Sequence, residues 1–366
     1  MKSLAALLLA SAAMIGASNA MAAPNVVVSI KPIHSLVAAI MEGVAVPQVI
    51  VDGGASPHTY SLKPSNAKAL ENADVVFWVG DGLEKFLEKP LESLAGKATV
   101  VELDDAPGIE KLSFREGGPF EAHDHGDHEG HDHGDHEGHD HAEAEGHDHA
   151  HEDDDKHDHE GHDHEGHDHA HEGEKGHDHA HEGEHTHAHE DGHDHGEYDM
   201  HLWLDPANAR AMATEIEKTL MTADPANAKT YQENTKKLVD NLDALDKELA
   251  ATVAPIKDKP FIVFHDAYQY FEHRYGVKTA GSITVSPENM PGADRIKQIQ
   301  AKVKELNATC VFAEPQFEPK LVNVVIEGTN AKSGTLDPEA GTLEAGPDLY
   351  FKLMRGIANS LKNCLS

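Results

Sequence analysis

The chain has 366 residues, a formal net charge of −35 and two cysteines. That length allows two domains beside an insert. The acidity and the lack of a basic patch exclude a nucleic-acid binder and point to cations as partners.

The charge is not spread evenly. Between residues 121 and 199 lie 30 acidic residues and 2 lysines, a local charge of −28, so the remainder carries −7. The same stretch, from His123 to His195, holds 26 of the 31 histidines.

Met1 and Lys2 followed by the apolar run Leu4–Ile15, with Ala20, Met21 and Ala22 as an A-x-A site, read as a signal peptide over 1–22. The apolar run is too short for a membrane anchor. No cysteine near the cleavage site offers a lipid attachment point, so the mature protein is expected to be exported and soluble.

Asn25–Ile30 is rich in β-branched residues and is bounded by Pro24 and Pro32, which predicts a strand. Alternation continues with a helix over Ile33–Met41, a strand over Val46–Val51 and a loop over Asp52–Tyr60. Next come a helix over Pro64–Asn72, a strand over Asp74–Gly80, a helix over Leu83–Leu94 and a strand over Ala98–Glu102. Alternating strands and helices predict βαβ units and a parallel sheet.

The run of His, Asp, Glu and Gly then interrupts. It has almost no aliphatic or aromatic side chain, so it cannot bury enough surface to offset the entropy of ordering. Imidazoles at every second or third position, with near-repeats at Gly166–Glu174 and Gly176–Glu184, predict a disordered loop over 121–199 with many weak sites for Zn, Cu, Ni or Co. Removing it is expected to strip most bound metal and spare a tight site elsewhere.

After Asp205 and Pro206 a helix is predicted to about Met221, and Asp224 and Pro225 open another as N-cap and N1. That one runs to Val253 without Gly or Pro and reads as a rigid strut between two halves. The second half repeats the pattern of the first. Strands are predicted over Phe261–Phe264, Val277–Ile283, Thr309–Ala313 and Ala331–Leu336. Helices are predicted over Ala267–Tyr275, Pro291–Leu306, Pro319–Glu327 and Asp348–Lys362. The expected fold is α/β: two (β/α) lobes with parallel sheets, residues 23–223 and 255–366, joined by one long helix over 224–254.

Five histidines lie outside the run: His34, His58, His201, His265 and His273. His58 follows the second strand, His265 follows Phe261–Phe264, and His201 precedes a helix. Ligands of open α/β sheets bind outside the carboxyl ends of strands, so these three are expected to converge in a cleft between lobes. Three imidazoles suit zinc. His34, at a strand–helix junction, is a candidate supporting residue or helix cap, and His273 reads as an exposed helical residue. Asp337, Glu314 or a water is the candidate fourth ligand. Two cysteines in an exported chain allow one pairing, so Cys310 and Cys364 are expected to form a disulfide.

Four segments carry a family resemblance: Gly54–Ser65 (GASPHTYSLKPS), Met200–Pro206 (MHLWLDP), Val263–Tyr268 (VFHDAY) and Cys310–Phe317 (CVFAEPQF). Together they resemble the high-affinity zinc-uptake solute-binding proteins of ABC importers, within the metal-binding cluster A-I family. The resemblance spans nearly the whole mature chain. It implies a periplasmic monomer that holds Zn2+ through His58, His201 and His265, carries a disulfide matching Cys310 and Cys364, and delivers its cargo to a membrane permease driven by a cytoplasmic ATPase. Some relatives carry Glu before the first ligand histidine, where this chain has Pro57, so a fourth ligand must come from water or Asp337. Related manganese binders place an acid where this chain has His265.

Two other readings compete. A metal buffer working mainly through its His-rich loop is separated from an import protein by deleting the loop. A zinc hydrolase would match three histidines and an open position, but no His-Glu-x-x-His helix occurs and no carboxylate is clearly placed as a base. No enzymatic activity is therefore expected.

Overall fold

The computed structural model describes residues 22–115, 198–284, 291–317 and 320–366. The predicted signal peptide, save its last residue, and the His-rich run lie outside these residues.

Among the described residues, eight strands form two sheets of four. The first contains β1 (Val26–Ile30), β2 (Gln48–Val51), β3 (Val75–Trp78) and β4 (Thr99–Glu102), in the order β2-β1-β3-β4. The second contains β5 (Phe261–His265), β6 (Thr279–Thr284), β7 (Cys310–Ala313) and β8 (Lys332–Thr335), in the equivalent order β6-β5-β7-β8. Each pairing is parallel. The central strands β1, β3, β5 and β7 are buried along their full length, as a parallel sheet covered on both faces requires.

Helices α1 (Lys31–Ile40), α2 (Pro64–Glu71), α3 (Asp81–Glu84) and α4 (Glu88–Leu94) belong to the first lobe. Helices α5 (Pro206–Ala223) and α6 (Ala228–Val253) lead to the second. There follow α7 (Gln269–Tyr275), α8 (Ala293–Glu305), α9 (Lys320–Ile326) and α10 (Leu349–Leu365).

Helix α6 has 26 residues and spans about 39 Å at 1.5 Å per residue. Its buried residues Tyr231, Leu238, Leu242, Leu245, Leu249 and Val253 recur at three, four and seven, which gives one apolar stripe. Asn234 Nδ2 donates to the carbonyls of Ile40 and Glu42, tying the strut to the end of α1. Toward the second lobe, Arg274 pairs with Asp246 and Arg355 with Glu248.

One apolar core runs through β1, α1, α5, α6, β5, α7 and α10, so it is continuous across the two lobes. A smaller cluster, with Ile262, Phe264, Ile299 and Val311, fills the other face of the second sheet. The disulfide Cys310–Cys364 fastens β7 to the end of α10.

Several local readings need correction. The strand predicted from Val46 begins at Gln48, because Pro47 has no N–H to give the ladder, and Val46 is left 87% exposed. The helix predicted over Leu83–Leu94 breaks into α3, a 3-10 turn over Lys85–Leu87 and α4. Pro90 cannot close a bond to the turn before it, which accounts for the restart. Asp224 makes no backbone cap; its carboxylate instead accepts from Asn227 Nδ2 and Tyr231 Oη, and Pro225–Asn227 is a 3-10 turn ahead of α6.

Candidate metal centre

His58 sits in a one-turn 3-10 helix, Pro57–Thr59, after β2. Ser56 caps that turn, its Oγ accepting from His58 N. His201 precedes the 3-10 turn Leu202–Leu204, and Asp205 then opens α5 by accepting from Ala207 N, with Pro206 at the first helical position. His265 is the last residue of β5.

In the second sheet β5 lies between β6 and β7, so the chain direction across the sheet reverses there. His265 ends β5 and Glu314 directly follows β7, so the two flank this switch point, where α/β sheets bind ligands.

The three imidazoles meet edge to edge. His201 Nε2 lies 3.4 Å from His58 Nε2 and 3.3 Å from His265 Nε2. Each offers a ligand atom within 4.8 Å of the other two. For zinc bonds of about 2.0–2.1 Å, the edge of a tetrahedron is about 3.3–3.4 Å. The observed spacings match it.

Carboxylates set the direction of two rings. Asp199 Oδ1 accepts from His201 Nδ1 at 2.7 Å and from His201 N at 3.0 Å. Glu314 accepts from His265 Nδ1, with its two oxygens at 2.7 and 2.8 Å. A proton held on Nδ1 leaves the Nε2 lone pair free for a metal. Burial disfavours the charged form of His265, but the adjacent Glu314 outweighs it and the net shift is upward. His58 has no such acid behind it: burial and the other two imidazoles push it well below the usual histidine value. Its side chain is 15% exposed, against 1% for His265, so it is the more accessible end of the cluster.

The candidate carboxylates fall in three different places. Glu314 stands behind His265, also within 3.4 Å of Tyr268 Oη. Asp337 has both oxygens occupied in the turn after β8: Gln316 Nε2 and Gly341 N donate to Oδ1, and Thr342 N and Oγ1 donate to Oδ2. Glu339, which sequence reasoning missed, lies with Oε1 3.7 Å from His58 Nε2. Burial, with Glu314 and Asp337 nearby, pushes its carboxyl well above the usual range. Asp199 was also missed, although its position two residues before His201 is a usable signal. Nothing local marks Glu339.

The remaining two histidines stand apart. His34 Nε2 donates to Pro47 O and braces the approach to β2. His273 is an exposed neighbour of Glu110. A second close group, Glu102, Asp104 and Asp105, already has a cation, since Lys111 Nζ lies 2.8 Å from Asp104 and 3.2 Å from Asp105.

The described residues on either side of the His-rich run lie beside the centre. Ser113 and Tyr198 form an antiparallel bridge, and Asp199 N donates to Leu112 O. Tyr270 Oη accepts from Leu112 N and donates to Asp199 O. Arg115 pairs with Asp266 and Glu272. Tyr198 thus stands three residues before His201, and Arg115 is paired with Asp266, the neighbour of His265.

Residues 26–364 match the model of the family described as zinc-uptake complex component A, periplasmic (ZnuA). The chain is 54% identical to the high-affinity zinc uptake system protein ZnuA of Brucella suis, over 100% of both chains. Its fold is similar to the periplasmic zinc-binding protein TroA of Treponema pallidum, with TM-score 0.67 and 17% identity over 94% of this chain and 99% of that one. It is also similar to a zinc-bound ZnuA deletion mutant, with TM-score 0.62 and 22% identity over 94% and 98%.

Proposed function

The chain belongs to the periplasmic component A family of zinc-uptake complexes, and from that premise we propose that it captures Zn2+ through His58, His201 and His265 and passes it to the permease of an ABC importer. The permease is driven by a cytoplasmic ATPase. The protein acts as a periplasmic monomer. Its first lobe is 23–223, its strut 224–254 and its second lobe 255–366.

The observation that carries the ligand assignment is the Nε2 spacing of 3.3 and 3.4 Å, with Asp199 and Glu314 behind two of the rings. With the Nδ1 atoms of His201 and His265 facing carboxylates, two Nε2 acceptors stand 3.3 Å apart, an approach that a cation between them favours. Three neutral nitrogens also suit zinc better than manganese, which prefers oxygen. Transport rather than catalysis fits the acids around the rings: Asp199 and Glu314 are spent on imidazole N–H groups, so neither is free to activate a water.

The test is a chelator-competed zinc titration of the full-length mature chain. His58→Ala, His201→Ala and His265→Ala are each expected to abolish the tightest phase while leaving the fold intact. A tight phase that survives all three substitutions overturns the assignment.

A further inference from the structure

Three histidines leave one corner of a tetrahedron open, and a buried carboxyl stands next to it. Glu339 is 5% exposed. Its Oε1 accepts a long bond from Ser56 Oγ, 3.4 Å, and its Oε2 is buried without a donor. A buried carboxyl oxygen left unmet is costly, so a partner for it is expected.

The loop carrying Glu339 is held from several sides. Asp337 gathers four donors, three from Gly341 and Thr342 across the 337–342 turn and one from Gln316. Trp203 Nε1, from the other lobe, donates to Pro338 O at 2.8 Å. Lys31 Nζ donates to the carbonyls of Gly341 and Leu343. Ala340, directly after Glu339, is held at φ +56°, a left-handed conformation that an alanine adopts only when its surroundings impose it.

On the reading that His58, His201 and His265 hold the zinc, we infer that Glu339 supplies the fourth ligand and that Asp337 is the acid that builds the turn presenting it. The distance supports the assignment. Oε1 is 3.7 Å from His58 Nε2, a few tenths of an ångström beyond the ~3.3–3.4 Å ligand spacing of a tetrahedral zinc. It lies outside the set of atoms within 4.8 Å of all three rings, so a side-chain rotation must bring it toward His201 and His265. With one oxygen unmet and the other weakly held, little opposes that rotation. By contrast, Asp337 would have to give up four hydrogen bonds, and Glu314 its hold on His265.

The consequence is a clamp. His58 and His201 come from the first lobe, His265 and Glu339 from the second. A closed four-ligand sphere suits a carrier, whereas a catalytic zinc keeps an open position.

The experiment uses the full-length mature chain with one equivalent of Co2+, followed by zinc titration against a chelator. Four-coordinate Co2+ absorbs far more strongly in the visible than six-coordinate Co2+, so ions scattered on weak, water-rich sites contribute little. Glu339→Gln is expected to shift the visible bands and to weaken zinc binding by about 10–100-fold. Asp337→Asn, which loosens the turn without removing a ligand, is expected to keep a four-coordinate Co2+ spectrum and to weaken zinc binding less than Glu339→Gln does. If Glu339→Gln has the wild-type spectrum and affinity while His58→Ala loses both, the glutamate is not a ligand and the three-histidine reading stands. If wild type and His58→Ala behave alike, that reading fails as well. Should Glu339→Gln fold poorly, a crystal structure of the zinc-loaded wild type decides: a Glu339 oxygen about 2.0–2.2 Å from the ion is expected, and a water or Asp337 in that place refutes the proposal.

Discussion

Where the His-rich insert is cut decides what its removal does. Composition alone draws its end at residue 199, but Asp199 accepts from both His201 Nδ1 and His201 N. Deleting 121–199 removes the acceptor for His201 Nδ1 and N, and the carbonyl that takes the Tyr270 hydroxyl. His201 then loses the bond that fixes its tautomer and ring plane. Losing such a supporting partner typically costs about 10–100-fold in metal affinity, or about 1.4–2.8 kcal/mol. Replacing 117–196 with a short inserted Gly-containing turn instead keeps Ser113 and Tyr198, whose backbones already pair in an isolated antiparallel bridge. That shorter deletion is expected to hold the tight site within a factor of about three of the full chain, well under the ~10–100-fold cost of losing the carboxylate. The assay is chelator-competed zinc titration of both deletions beside the intact protein. Equal affinities in the two deletions would refute the role given to Asp199. Loss of the tight phase in the shorter deletion would mean that the run itself supplies a primary ligand.

Replacing Cys310 and Cys364 with alanine should destabilise the protein by up to about 4 kcal/mol on the chain-entropy estimate for a separation of 54 residues, measured by urea denaturation. Ala340→Gly should raise the denaturation midpoint, since it relieves a left-handed residue costing about 1–2 kcal/mol; an unchanged or lower midpoint contradicts the strain. His265 and His58 shift in opposite directions, so they act oppositely on the metal-free protein. The raised His265 adds stability that is full below about pH 6.5 and fades as pH rises through its folded value. The lowered His58 subtracts stability as pH falls below about 6.5, because the unfolded chain takes up that proton first. Glu314→Gln should therefore remove the gain on acidification and move the onset of proton competition for zinc to lower pH, read from melts and titrations between pH 5 and 8. A pH profile identical to wild type would refute the link.

The two (β/α) lobes were legible in the sequence because their signals are local. Runs such as Val26–Ile30 and Phe261–His265 are continuous and apolar, as strands covered on both faces must be. Asp205 with Pro206 announces a helix start, and the apolar spacing of α6 announces a long amphipathic strut. Three histidines beside strand ends were likewise visible. Local errors came where proline overrode a pattern, at Pro47 and Pro90, and where the Asp224 carboxylate took side-chain donors instead of capping α6. Tertiary structure alone could decide which acid serves which ring. Glu314 lies 49 residues from His265, and Glu339 lies 283 from Ser56; each pair meets only because of sheet order and the docking of one lobe on the other. Sequence periodicity fixes which face of an element is buried. It does not fix which strand ends become neighbours, and that choice decides where Asp337, Glu314 and Glu339 lie relative to the same three imidazoles.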